Sequence, residues 1–228
     1  MQIGFSTADF YQEMKLVNSL YLEKQLQLGA EVIEVSVGRS ATARAELMLL
    51  PENYFASFKY RFLHAPAKVD GKIIEELVAI QNKFHFEYIN FHPDQLEETT
   101  MDILADSGLP ICLENMDSRK LSCRTVIDMK QILDRYHFGM VLDLNHCYSN
   151  GGNMELVQSF WSDLGEKIRY FHLSGFITLH EPLFQTKQRE LIDFVESKNR
   201  PVVIESMLKD VYEMEKEWRY IIENILDR

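Results

Sequence analysis

Asp143 and His146 stand three residues apart in Gly139-Met-Val-Leu-Asp-Leu-Asn-His-Cys-Tyr-Ser149, at the exit of an unbroken apolar run. Such a run reads as a strand covered on both faces. A carboxylate and an imidazole at that exit can ligate a metal or pass a proton. The arrangement recurs along the chain. His64 follows Tyr60-Arg-Phe-Leu63, His92 follows Tyr88-Ile-Asn-Phe91, and Glu114 follows Pro110-Ile-Cys-Leu113. His172 follows Ile168-Arg-Tyr-Phe171, and Glu205 follows Pro201-Val-Val-Ile204. Imidazoles mixed with carboxylates suit Zn, Mn, Co or Fe(II), whereas Mg or Ca favours an all-oxygen shell. Cys147, beside His146, is the single cysteine at a strand exit, which argues against a thiolate site.

These residues need a scaffold that brings strand ends together. Two further strands, Met1 to Ser6 and Glu31 to Val37, precede the six already named. Between the strands run stretches with apolar residues at helical spacing: Val17 to Leu28 before Gly29, Ala41 to Leu50 before Pro51, and Gly71 to Phe84. The second half continues with Thr100 to Asp106, Thr125 to Tyr136, Met154 to Glu166, Gln185 to Lys198 and Asp210 to Leu226. Ser149-Asn-Gly-Gly-Asn153 has the composition of a tight turn. Strand and helix thus alternate about eight times with no linker. That calls for a parallel (β/α)8 TIM barrel spanning residues 1–228 as a single domain, with a metal site at the C-terminal rim of its strands. A doubly wound open sheet is the competing fold; its glycine-rich phosphate fingerprint is missing after strand one.

Composition narrows the partners. A hydrophobic fraction of 46% supports a substantial core, and a formal net charge of -11 argues against gripping a polyanion such as duplex DNA. The three cysteines, Cys112, Cys123 and Cys147, form no CxxC and read as reduced thiols of a cytoplasmic protein. No run is apolar and long enough for a bilayer, so no membrane partner is expected.

The ordered set His64-Ala-Pro66, Phe91-His92-Pro93, Leu113-Glu114-Asn115, Leu142-Asp143…His146, Phe171-His172-Leu173 and Ile204-Glu205-Ser206 resembles the xylose isomerase-like TIM-barrel superfamily. Within it the match is to the endonuclease IV-like branch (AP endonuclease family 2 and the sugar phosphate isomerase-epimerases). Gly29-Ala-Glu-Val-Ile-Glu-Val35 is also similar to the second strand of that superfamily. The Asp143…His146 stretch and the His172…His180 segment resemble, in addition, phosphodiesterases of the superfamily that act on cobamides. The resemblance implies a multinuclear site of Zn or Mn. His64, His92 and a bridging Glu114 would hold one metal; Glu114, Asp143, His172 and Glu205 a second; His146 and His180 a third. The endonuclease pattern has an Asp two residues before that last histidine, where this chain has Thr178. The third metal is therefore in question, and His146 and His180 are alternatively substrate contacts.

Two chemistries use such a rim. In a phosphodiester hydrolase adjacent metals activate water and stabilise an in-line displacement. In a sugar or sugar-phosphate isomerase or epimerase, one metal holds adjacent sugar oxygens while Glu114 and Glu205 exchange a carbon-bound proton. Glu114, Glu205 and His146 are the candidate catalytic groups. A single-metal isomerase leaves His64 and His92 without ligand duty, so hydrolysis of a small phosphorylated substrate is the favoured expectation. A barrel that only binds a metal or ligand is the third reading, and Thr178 is its best support. His85 and His137 read as ordinary surface or loop histidines, and the charges of residues 210–228 as a solvated helix face.

Overall fold

All eight apolar runs become parallel strands in the computed structural model, which describes residues 1–10, 19–37 and 41–226. The strands are β1 (Ile3–Ser6), β2 (Val32–Ser36), β3 (Tyr60–His64), β4 (Tyr88–Phe91), β5 (Ile111–Glu114), β6 (Gly139–Asp143), β7 (Ile168–Leu173) and β8 (Val202–Ile204). They pair in chain order and β8 closes on β1, giving a closed barrel. The helices are α1 (Ser19–Leu28), α2 (Ala41–Leu49), α3 (Gly71–Phe84), α4 (Glu98–Asp106), α5 (Val126–Tyr136), α6 (Leu144–Gly151), α7 (Glu155–Leu164), α8 (Leu183–Thr186), α9 (Arg189–Glu196) and α10 (Val211–Leu226). Among the described residues no helix is long and apolar enough to cross a membrane.

Side chains alternate across a strand, and this alternation builds the site. Ile33, Leu63, Leu113, Leu142 and Phe171 belong to the main core with Leu77 of α3, Leu133 of α5 and Phe160 of α7. A separate buried cluster, Val32, Phe62, Cys112, Val141, Tyr170 and Val203, plugs the barrel interior. The rings of Phe62 and Tyr170 stack there with centroids 4.0 Å apart. Each plug residue stands two positions before a polar one: Glu34, His64, Glu114, Asp143, His172 and Glu205. Period two therefore puts an apolar floor directly beneath a polar layer. Removing apolar area from water at about 25 cal/mol per Å2 makes the floor favourable, and it supports groups whose own burial is costly.

Several boundaries differ from expectation, each for a local reason. The stretch read as a turn at Ser149 to Asn153 is mostly the end of α6, which continues from Leu144 and stops at Gly152. Its start is fixed by Asp143, whose side chain accepts a hydrogen bond from the His146 amide at 2.7 Å. The helix expected over Gln185 to Lys198 is two pieces, because Lys187 adopts a left-handed conformation that caps α8. The strand expected to end at Phe171 extends to Leu173, so His172 lies inside it. Thr125 is the N-cap of α5 in a capping box with Asp128. Val17, the expected start of the first helix, falls outside the described residues, as do Asp227 and Arg228. His85 and His137 cap the C-termini of α3 and α5, consistent with the ordinary roles read for them. The three cysteines are free and buried.

Candidate metal centre

Glu114 stands at the centre of the polar layer, 1% exposed at the end of β5. Its Oε2 lies 3.6 Å from His64 Nε2, 3.5 Å from His92 Nε2 and 3.5 Å from His172 Nδ1. Its Oε1 lies 3.1 Å from His146 Nδ1. The Asn90 amide also donates to Oε2. One carboxylate thus touches imidazoles from β3, from β7, from the residue just past β4 and from α6.

The orientation of each ring follows from its outer contact. His64 Nδ1 faces the Ala65 carbonyl at 3.0 Å; a carbonyl only accepts, so Nδ1 carries a proton and Nε2 points at Glu114. His172 is turned the other way. Its Nε2 lies 3.0 Å from Glu34, leaving Nδ1 3.1 Å from Glu205 Oε2 and 3.8 Å from Asp143 Oδ2. Asp143 spends Oδ1 on capping α6. Two buried atoms of the layer, His172 Nδ1 and Asp143 Oδ2, have no hydrogen-bond partner. Among the described residues, Glu34, Glu114, Asp143 and Glu205 have only histidines as cationic partners. Buried carboxylates are costly unless compensated, so the balancing charge here comes from protonated imidazoles or from a bound cation.

A divalent ion fits this arrangement. Donor atoms of His64, His92 and Glu114 lie within 4.8 Å of one another, as do those of Glu114, Asp143, His172 and Glu205. Glu114 belongs to both groups. The unpartnered His172 Nδ1 and Asp143 Oδ2 both belong to the second group, and a cation there would satisfy both once it displaces any proton on Nδ1.

A third set, Asp143, His146 and His180, also lies within 4.8 Å. The rings of His146 and His180 sit 5.3 Å apart. His146 Nδ1 meets the Asn115 carbonyl at 2.8 Å, leaving Nε2 as its available lone pair. Thr178 contributes nothing here. It is exposed, and its amide and hydroxyl both bind Glu181. Glu181 also accepts from the amides of Ile177 and Leu179 at 2.7 and 3.2 Å, folding the loop that presents His180. The loop closes where Gly175 donates to the Glu181 carbonyl at 2.7 Å; a Cβ on Gly175 would stand 2.2 Å from Thr186 Oγ1. His180 itself adopts φ 57°, uncommon for a residue with a side chain.

Sequence reasoning alone misses Glu34, Asn90 and Asn115. Glu34 and Asn90 are inward residues within β2 and β4, each polar in an apolar strand, and period two carries a signal for both. Asn115 follows Glu114 and clamps β6: its side chain accepts from the Asp143 amide at 2.8 Å and donates to the Asp143 carbonyl at 2.9 Å. Above the layer opens a cavity of about 480 Å3 lined by His64, His92, Glu114, His146, His180 and Glu205. Arg119 and Lys120 also reach it, but Arg119 is paired with Asp117 at 2.9 Å and Lys120 with Asp94 at 2.9 Å.

Burial opposes charge on His64, His146 and His172. His64 is nevertheless raised to about 9 by contact with Glu114 and the charges of Glu34, Glu114 and Glu205. His146 reaches about 10 against the same burial, drawn up by Asp143 and Glu114. Glu114 resists its own burial and is held well below the usual range by His172, His146 and His64. Values raised on folding mean that protons on His64 and His146 stabilise the metal-free fold below about pH 6.5. That contribution is lost as pH rises through about 9 and about 10. A metal at His64 must displace its proton. Apparent Mn affinity is therefore expected to rise by up to about tenfold per pH unit per proton displaced. The rise should continue to about pH 9. Competition with a chromophoric chelator checks this; a plateau near pH 6.5, where an ordinary histidine titrates, would contradict it.

No family model matches the sequence, and no curated protein matches it. Solved structures do share the fold. Endonuclease IV from Thermus thermophilus superposes with a TM-score of 0.69 at 14% identity, covering 100% of both chains. A 3-keto-D-glucoside 4-epimerase from E. coli gives 0.68 at 14% identity over 98% of this chain and 99% of its own. A dihydropteroate synthase from Yersinia pestis gives 0.53 at 14% identity over 98% and 91%. At such identities the similarity establishes a TIM-barrel fold common to proteins of several activities.

Proposed function

We propose that this chain is a metal-dependent hydrolase of a small phosphodiester, with two adjacent metal positions that share Glu114. The observation carrying the reading is the approach of His64 and His92 to the Glu114 oxygen that also faces the Glu114, Asp143, His172 and Glu205 group. A single-metal isomerase has no use for that pair. The endonuclease and the epimerase match the fold almost equally, so the choice rests on these histidines.

Paired divalent ions held at such positions would supply Lewis acidity to a water and to the phosphoryl oxygens. The chain does the rest. His64 and His92 orient one position, and Asp143, His172 and Glu205 shape the other. His146 and His180 line the cavity wall, where they contact the substrate; His146 is the candidate to protonate the leaving oxygen. The cavity volume lies within the roughly 300–1,000 Å3 typical of small-molecule sites. Together with the net charge of -11, this supports a small phosphorylated substrate over duplex DNA.

The runner-up is a sugar or sugar-phosphate isomerase or epimerase. It is favoured by one observation: the group of Glu114, Asp143, His172 and Glu205 is complete without the histidine pair. Glu114 and Glu205 would then exchange the substrate proton. Assaying bis-para-nitrophenyl phosphate against a panel of ketoses, each with an EDTA control, separates the two. EDTA-sensitive phosphodiester cleavage is expected; ketose turnover without cleavage would hand the assignment to the isomerase.

A further inference from the structure

Glu34 is the one carboxylate of the polar layer outside the three ligand groups that contain Glu114 or His146. It is 0% exposed in β2, far from any water-facing role. Its Oε2 receives Tyr170 Oη at 2.8 Å and His172 Nε2 at 3.0 Å, and its Oε1 receives Ser6 Oγ at 3.4 Å. Donor atoms of Glu34, His64 and Glu205 lie close enough to hold an ion of their own. Its Oε2 is shared by Tyr170 and His172 and, among the described residues, its Oε1 is held only by Ser6, so a ligand role must be separated by experiment from a role through His172.

We propose that Glu34 is a positioning residue: it fixes the proton of His172 on Nε2 and so turns the Nδ1 lone pair towards Asp143 and Glu205. The inference rests on the metal-site part of the proposed function. It explains why His172 presents Nδ1, while His64, held at Nδ1 by a backbone carbonyl, presents Nε2. A carboxylate behind an imidazole also makes the ring a stronger donor, and removing such a partner lowers metal affinity about 10- to 100-fold. Tyr170 ties the device to the barrel floor. Its ring stacks on Phe62 and its hydroxyl holds Glu34, so packing sets the carboxylate that sets the imidazole.

The test uses full-length wild type, Glu34→Gln, Glu34→Ala and Ser6→Ala. Two readouts are needed: Zn affinity and stoichiometry by competition, and the 15N-attached Nε2 proton of His172 by NMR. Wild type should show a slowly exchanging Nε2 proton with or without Zn. Glu34→Ala should lose that protection and bind Zn at the four-ligand position about 10- to 100-fold more weakly. Glu34→Gln, which retains an acceptor and the volume, should fall between, and it decides the matter if Glu34→Ala does not fold. Ser6→Ala should change Zn affinity less than about twofold, since it leaves the His172 contact intact. A merely structural Glu34 would lower thermal stability in its variants without moving Zn affinity or the His172 proton, which overturns the proposal. Loss of a whole Zn equivalent in Glu34→Gln with the His172 proton unchanged makes Glu34 a ligand, and overturns it too. If wild type takes up no Zn, the functional reading fails separately, and the Nε2 proton still shows whether Glu34 holds the ring.

Discussion

Replacing Glu114 by Gln is expected to lower phosphodiester hydrolysis by about a thousandfold or more, on the order of 4 kcal/mol of barrier. The same change should weaken both metal positions, because Glu114 belongs to both donor groups. Gln preserves volume and an amide oxygen, so the barrel should remain folded. What it removes is the negative charge that faces His64, His92, His146 and His172. His64, His146 and His172, which that charge raises, then lose much of their reason to stay protonated, and the metal-free protein should release protons at lower pH. Steady-state kinetics with metal analysis by mass spectrometry checks the result. Retention of full metal content and of activity within about tenfold would remove Glu114 from the bridging role.

Asp143 has two tasks, and paired substitutions should separate them. One oxygen caps α6 through the His146 amide; the other is buried with no hydrogen-bond partner, 3.8 Å from the Nδ1 atoms of His146 and His172. Asp143→Asn keeps a capping oxygen, so its folding stability should change by less than about 1 kcal/mol. It should nevertheless bind metal on the order of 100-fold more weakly or worse, having lost the charged ligand. Asp143→Ala should lose both functions, adding a cap penalty of about 0.5–2 kcal/mol. Denaturant melts of the metal-free proteins isolate the cap, and metal competition isolates the ligand. Equal metal affinity in Asp143→Asn and wild type would leave Asp143 as a helix cap only.

What the sequence makes legible depends on period two. Glu114, Asp143, His172 and Glu205 each end or follow an apolar run, so they stand out as interruptions. The same rule, extended one step inward, marks Glu34 and Asn90. These two are hard to single out because each sits within a strand, where a polar residue is easily read as solvent-facing. The helix α6 is harder. Leu144 to Tyr148 are all buried, Asn145 and His146 among them, so no amphipathic stripe announces a helix. Its signal is the cap itself, a carboxylate three residues before His146, a pair that invites a purely chemical reading. The start of α8 depends on distant contacts: Glu217 of α10 accepts from the amides of Leu183 and Phe184 at 2.8 and 2.9 Å. Thr178 shows in the sequence where an acid is missing. That Glu181 occupies its hydroxyl and folds the His180 loop follows only from the tertiary structure.

Metal content of purified wild type and of the His64→Ala, His92→Ala double variant, each reconstituted with Zn or Mn and freed of loose ions, tests the shared site most directly. Wild type is expected to hold about two or more equivalents per chain. The double variant is expected to lose about one of them, together with phosphodiester cleavage. A wild type with a single equivalent that the double variant keeps would contradict a two-metal centre, and a wild type that takes up none would contradict a metal-dependent enzyme of either kind.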